Sequence, residues 1–193
     1  MPGDAVRLNL GCGTDIKPGW INCDWQPGEG VDVVWNLEGD SPLQPNTADE
    51  MILHHVLEHL HEPLFAMEQL WYVAKPDCLL TIRLPHGGSD DAWEDPTHVR
   101  PYFLQSFGYF SQPYHWRSQG YGYKADWQPE SVTLLVGNEY ATTSKKAFFE
   151  RARHERNLVK EMIVVMRAVK PAREPKQELQ VLPLFDVVAE EGK

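Results

Sequence analysis

The sequence predicts an α/β fold: a three-layer sandwich with a mostly parallel sheet and a shortened first helix, in one domain covering residues 1–193. Three observations predict it. A short apolar run, Val6 to Leu10, ends in Gly11-Cys12-Gly13. A second strand-like run, Trp20 to Trp25, carries the acidic Asp24 at its tip. Further strand-like runs at 31–37, 50–53 and 78–84 alternate with a helical run in which Leu64, Met67, Leu70, Trp71 and Ala74 keep apolar spacing, and such alternation builds parallel sheets.

Val6–Leu10 is apolar apart from Arg7 and Asn9, and its Gly-x-Gly end lets backbone approach a ligand where a side chain would fill the space. The same turn can also be no more than a tight reversal. Dinucleotide folds place a full helix next and an acidic residue about 20 residues on. Only ten residues separate Gly13 from Asp24 here. They cannot hold both a helix and a strand, so the first helix is a single turn or absent. That spacing, with Asp15 near the place of a third glycine, argues against a NAD-binding unit. Asp24 sits on the same side of its strand as Trp20 and Asn22, where it can accept hydrogen bonds from a ribose diol, or start the Trp25-Gln26-Pro27-Gly28 turn.

Four stretches together carry a resemblance: Leu8-Asn9-Leu10-Gly11-Cys12-Gly13; Pro18 to Asp24; Ala48 to Leu60; and Val73 to Pro85. In this order they resemble class I S-adenosylmethionine-dependent methyltransferases, most of all the compact methyltransferase-11-like proteins. The resemblance covers about residues 6–86 and implies a Rossmann-like sheet. It implies a cofactor site of Asn9, Gly11, Cys12, Gly13, Asp24, Asn36, Leu37, His54 and His55, with S-adenosylmethionine as the cofactor. Asn36 and Leu37 would hold adenine by an amide and an apolar face, although Asn36 can equally close its strand. The stretch His54 to His61 is expected to start a helix facing the transferred methyl, with Glu58 and His59 fixing its start. His55 and His59 are four apart, a helical spacing that could ligate a metal; no third ligand is obvious nearby, and no metal is assigned. Lys75-Pro76-Asp77-Cys78 is a turn that lacks the family's two glycines, and Cys78 then enters the fifth strand as a core residue.

Beyond Pro85 the resemblance fades. Residues 86–140 read as a substrate-side insertion or lid. Within it His98 is a plausible general base near neutral pH with Asp95 as its orienting carboxylate, though Asp95-Pro96-Thr97-His98 reads equally as a capped turn. The catalytic candidates are thus His98, Asp95 and His55. Tyr102 to Phe110 suggests a short helix with an aromatic face. Ser131–Val136 is a sixth strand, 157–169 a seventh, and Pro171 to Gln177 a linker or loop. The tail after Val181 is a closing edge strand or an oligomer contact.

The formal net charge is −10. Residues 1–100 hold 5 Lys/Arg against 17 Asp/Glu, a balance of −12, whereas 145–176 hold 10 against 4, a balance of +6. An acidic chain is a poor general nucleic-acid binder, although the basic segment 145–176 keeps a local anionic partner open; a solvated face of alternating charge accounts for it as well. The three cysteines are an odd number without paired spacing, which argues against a disulfide framework or a Cys-based zinc site. With no long apolar span and no secretory signal in the sequence, a cytoplasmic protein is expected. These observations converge on methyl transfer from S-adenosylmethionine to a small-molecule acceptor. A methyltransferase-fold scaffold without activity, and another nucleoside- or metal-dependent enzyme on this fold, are the alternatives.

Overall fold

The computed structural model describes residues 5–117, 120–140 and 144–189. Its centre is one eight-stranded sheet in the order β3-β2-β1-β4-β5-β7-β6-β8. The strands are β1 (Arg7–Leu10), β2 (Ile21–Asp24), β3 (Val33–Val34), β4 (Ala48–His54), β5 (Ala74–Pro85), β6 (Trp127–Val136), β7 (Val159–Ala168) and β8 (Leu184–Ala189). β7 is antiparallel to both of its neighbours, β5 and β6; every other pairing is parallel. The chain runs outward from β1 to β3, then returns to the other side of β1 as β4. That reversal leaves a crevice at the carboxyl ends of β1 and β4, where open α/β sheets bind ligands.

Strands buried on both sides read as continuous apolar runs, and Leu8, Leu10, Met51, Leu53, Leu80, Ile82 and Leu84 lie fully inside the core. The helices that cover them are few: α1 (Pro63–Val73), α2 (Asp91–Glu94) and α3 (Lys145–Ala152). Pro63 is pre-set for the first turn of α1. Ala66, Met67, Leu70 and Val73 bury the inner face of α1, the two larger side chains contributing about 1.5–3 kcal/mol each. Trp127 Nε1 donates to the carbonyl of Met67 (2.9 Å) and fastens α1 to β6.

As the short spacing predicts, no helix lies between β1 and β2. Side chains hold this crossover instead. Asn22 Oδ1 accepts from Asn9 Nδ2 (2.9 Å) and from the Lys17 N–H (2.9 Å), while Asp32 Oδ2 accepts from the Asn22 N–H (2.8 Å).

Several elements differ from expectation. The third strand is two residues long rather than spanning 31–37, because Asn36 Oδ1 accepts from the Glu38 N–H (3.0 Å) and turns the chain. His54 to His61 does not begin a helix. His54 closes β4, His55 takes a left-handed conformation (φ 52°), and only a 3-10 turn, Leu57–His59, precedes α1. His55 and His59 therefore do not share a helical face. Lys75 to Asp77, expected as a turn, lies within β5 as an irregularity, with Asp77 at φ 64° and pairing to β4 passing from Ala74 directly to Leu79. The aromatic stretch forms a 3-10 turn at Ser106–Phe110. β6 starts at Trp127, inside the stretch assigned to the lid. The helix α3, unforeseen, is capped by Ser144, whose side chain accepts from the Ala147 N–H.

The tail forms β8 at the sheet edge. The loop after β7 is anchored by a buried ion pair. Asp126, fully buried, accepts from Arg173 Nε (2.7 Å), Nη2 (2.8 Å) and backbone N–H (2.9 Å). Among the described residues no helix is long and apolar enough to cross a membrane.

Candidate active site

The turns after β1, β2 and β4 and the segment after β3 converge on one cleft of about 440 Å³. Gly11, Asp24, Asn36, Leu37 and His55, all expected from the sequence, line it. Trp25, Trp35, Val56, His59 and Leu60 line it as well. The Trp25 and Trp35 walls went unassigned, although each stands beside an assigned residue in the chain.

The two glycines of the turn play different parts. Gly11 has φ +63°, and a Cβ there would lie 2.3 Å from Val56 Cγ2. The close approach at Gly11 is therefore to Val56, which seals the floor between β1 and β4. Gly13 has φ +48° with open space around it, and its N–H donates to Asp24 Oδ2 (2.8 Å). Asp24 Oδ1 accepts from the Gln26 N–H (3.1 Å). The carboxylate is thus fixed at the cleft edge with lone pairs remaining on both oxygens.

Other expected residues stand behind the wall. Asn9 is buried, with Nδ2 donating to the Asp15 carbonyl (2.6 Å) and to Asn22. Cys12 is buried; burial first and the Asp24 charge second push its thiol pKa up, so it stays protonated at neutral pH. Cys23 and Cys78, also buried, are pushed up to about 12 chiefly by burial. His54 is half-buried and its pKa is lowered, first by burial and then by Lys17 and Arg83. Neither it nor Cys12, Asn9 or Gly13 belongs to the cleft lining.

His55 stands between two carboxylates. Its Nδ1 is 3.4 Å from Glu58 Oε1 and its Nε2 is 3.5 Å from Glu161 Oε1. Glu58 raises its pKa most, against the opposing effect of burial, and Glu161 adds to it.

The loop carrying Asp95 and His98 folds back onto the segment after β4. The Val99 N–H donates to the Glu58 carbonyl (2.8 Å) and Arg100 Nη2 to the His61 carbonyl (3.0 Å). Asp95 Oδ1 accepts from the Thr97 hydroxyl (2.6 Å) and N–H (2.8 Å), and these bonds hold its carboxyl below the usual pKa. His98 Nε2 lies 3.8 Å from Asp95 Oδ2, beyond hydrogen-bond length. His98 is not in the cleft lining; its ring meets that of His59 edge-on at 4.7 Å.

No protein-family model matches the chain, and no curated protein matches it. Solved structures do. A SAM-dependent methyltransferase from Archaeoglobus fulgidus superposes with a TM-score of 0.53 at 15% identity, covering 85% of this chain and 86% of that one. A 16S rRNA (adenine(1408)-N(1))-methyltransferase from Catenulisporales acidiphilia, crystallised with its cosubstrate SAM, gives 0.52 at 16% identity, covering 87% of each chain. An S-adenosylmethionine-dependent methyltransferase from Mesorhizobium loti gives 0.51 at 11% identity, covering 84% and 90%. At these identities the likeness establishes the fold, that of class I methyltransferases.

Proposed function

We propose that the cleft binds S-adenosylmethionine and that the protein transfers its methyl group to a small-molecule acceptor. The observation that carries this reading is the meeting of Asp24, Asn36, Leu37 and His55 in one cleft at the sheet's reversal point. The lining fits the group: a fixed carboxylate for a ribose diol, an amide beside apolar Leu37 and Leu60 for a purine, and two indoles as flat walls. The sulfonium supplies an already activated methyl. The protein's own residues then have to align the acceptor in line with it and exclude water.

Asp24 holds the ribose, and Gly13 positions Asp24. Asn36 and Leu37 meet the base. His55 is an ionisable group on the wall that can take a proton from an acceptor that carries one at working pH. His98 and Asp95, one layer behind, position that wall. Residues 86–117 and 120–126, the described part of the expected lid that precedes β6, bound the acceptor side.

The acidity of the amino-terminal half, which forms the cleft, supports a small acceptor over bulk nucleic acid. Much of the basic segment is paired internally: Arg151 with Glu155, Arg156 with Asp90, Arg167 with Glu130 and Asp77, and Arg173 with Asp126.

Trp25, 66% exposed at the cleft, offers the test. S-adenosylhomocysteine should change the tryptophan emission saturably, Trp25→Phe should remove most of that change, and Asp24→Asn should raise the midpoint about tenfold, one charge-assisted hydrogen bond. Emission unchanged by either S-adenosyl compound would contradict the reading and favour a binding or scaffold protein on this fold.

A further inference from the structure

Glu58, His59 and His98 each bring one ligand atom within 4.8 Å of the other two. We propose that these three side chains bind one divalent transition ion of the zinc class at the wall of the cleft. No spacing in the sequence announces this site. His98 lies 39 residues from His59 and reaches it only because the loop 95–100 is tied to the segment 58–61 by backbone and side-chain hydrogen bonds.

The first argument is an unmet charge. Glu58 is 2% exposed, and neither carboxylate oxygen has a hydrogen-bond partner. His55 approaches at 3.4 Å without hydrogen-bond alignment. A buried carboxylate met only by this one unaligned contact is costly, and such a group has room for an ion as a further partner. His98 Nδ1 is likewise buried without a partner, in a side chain only 9% exposed.

The second argument is the tautomer of His59, which the surrounding hydrogen bonds fix. The Thr97 hydroxyl gives its proton to Asp95 Oδ1 at 2.6 Å, so toward His59 it can only accept. The Thr97 carbonyl can only accept as well. His59 Nδ1, 3.0 Å from the hydroxyl and 3.3 Å from the carbonyl, must then carry the proton. Its Nε2 is left with a bare lone pair. In His98 the buried Nδ1 has no hydrogen-bond partner and is free to offer its lone pair, while Nε2 points toward Asp95 Oδ2 at 3.8 Å without a hydrogen bond. Two imidazoles are thus available as ligands, His59 held in ligating form through Thr97 and Asp95. Histidine ligands are commonly held by such outer carboxylates and carbonyls.

The donor set selects the ion. Two imidazole nitrogens and one carboxylate suit zinc and its first-row neighbours, whereas calcium and magnesium demand mostly oxygen. A tetrahedral ion with bonds of about 2.0–2.1 Å spaces its ligand atoms about 3.4 Å apart, so side-chain rotations of about an ångström close the site. Three protein ligands leave a position for a further group, and His59 itself lines the cleft. An ion there can act as a Lewis acid toward an oxygen or nitrogen of the acceptor.

Chelator-treated protein titrated with Co²⁺ tests this by the d–d absorption of the bound ion. The expected result is one Co²⁺ per chain, displaced by Zn²⁺. Thr97→Val, which removes only the hydroxyl holding His59, should weaken binding about 10–100-fold, and His59→Gln and His98→Gln should weaken it further. His61→Gln, an exposed histidine in the same segment, should leave it unchanged. Glu58→Gln removes a buried charge met only by His55 at 3.4 Å, so its metal-free form should unfold no earlier than wild type while losing the rise in Tm that Zn²⁺ gives the wild type. That variant and Thr97→Val keep the test decisive should a histidine variant fail to fold. Absence of stoichiometric Co²⁺ binding, or binding undiminished in the folded variants, would overturn the proposal. The titration contains no S-adenosylmethionine, so its outcome is independent of the cofactor reading.

Discussion

The two halves of the sheet are held by different physics. Around β1, β2 and β3, strands of two to four residues are joined without helices, and polar side chains such as Asn9, Asn22, Asp24 and Asp32 hold the turns. On the other side, β5, β6 and β7 run ten to twelve residues each in antiparallel ladders, with Val132, Leu134, Met162, Val164 and Met166 fully buried between them. The first half leaves backbone and polar groups at a cleft; the second closes its core. The proposed binding chemistry therefore falls in the half whose own apolar burial is smaller, with the ladder half as its rigid support. Substitutions in the two halves should separate accordingly.

The largest effect belongs to the ladder side. Arg173→Ala strips the buried Asp126 of the two hydrogen bonds from the guanidinium, leaving only the backbone N–H, and breaking a buried pair costs about 3–5 kcal/mol. Chemical denaturation should show that loss, while ligand affinity of the remaining folded protein stays near wild type. An equal loss of affinity at low denaturant would mean that the two halves are not separable.

In the cleft half, Gly11→Ala meets Val56 and a left-handed backbone together. Overpacking against a stiff β-branched neighbour and the φ penalty sum to about 2–4 kcal/mol, read as a fall in Tm, and the displaced floor should weaken the cleft's ligand as well. Gly13→Ala sharpens the comparison. Open space surrounds it, so only the φ penalty of about 1–2 kcal/mol applies. Similar losses at the two glycines would show that Val56 moves freely.

Between these lies a pH effect on the ladder side. His86 is buried, and burial lowers its pKa to about 4. Because the folded pKa lies below the unfolded value of about 6.5, the unfolded chain binds more protons between the two, and stability rises with pH there. The stability present above pH 6.5 should fall progressively toward pH 4, by at most about 3 kcal/mol, and His86→Phe should flatten that slope.

The cleft half was largely legible in sequence because its signals are local. A Gly-x-Gly turn, an acidic residue eleven positions beyond it, and too few residues for a helix fix β1, β2 and their crossover. The errors come where tertiary packing overrides local pattern. His54 to Leu60 reads as a helix start, but Val56 is drawn onto Gly11 and Leu57 into the core, so the chain takes a left-handed residue and a 3-10 turn first. Asn9 reads as a ligand contact, yet it spends its amide on the crossover. Pro171 to Gln177 reads as a linker or loop and is a loop, but nothing local shows that its Arg173 meets Asp126 from 47 residues away. The approach of His98 to His59 is of the same kind. His55-x-x-Glu58-His59 was visible, but its third ligand depends on how a distant loop lies.

The central claim is that the cleft holds S-adenosylmethionine through Asp24, and calorimetric titration of the metal-free protein with S-adenosylmethionine and S-adenosylhomocysteine tests it most directly. The prediction is one site per chain with micromolar Kd, about −8 kcal/mol, weakened by about 1.5–3 kcal/mol in Asp24→Ala. No heat of binding with either compound, or an Asp24→Ala protein that binds as tightly as wild type, would contradict it.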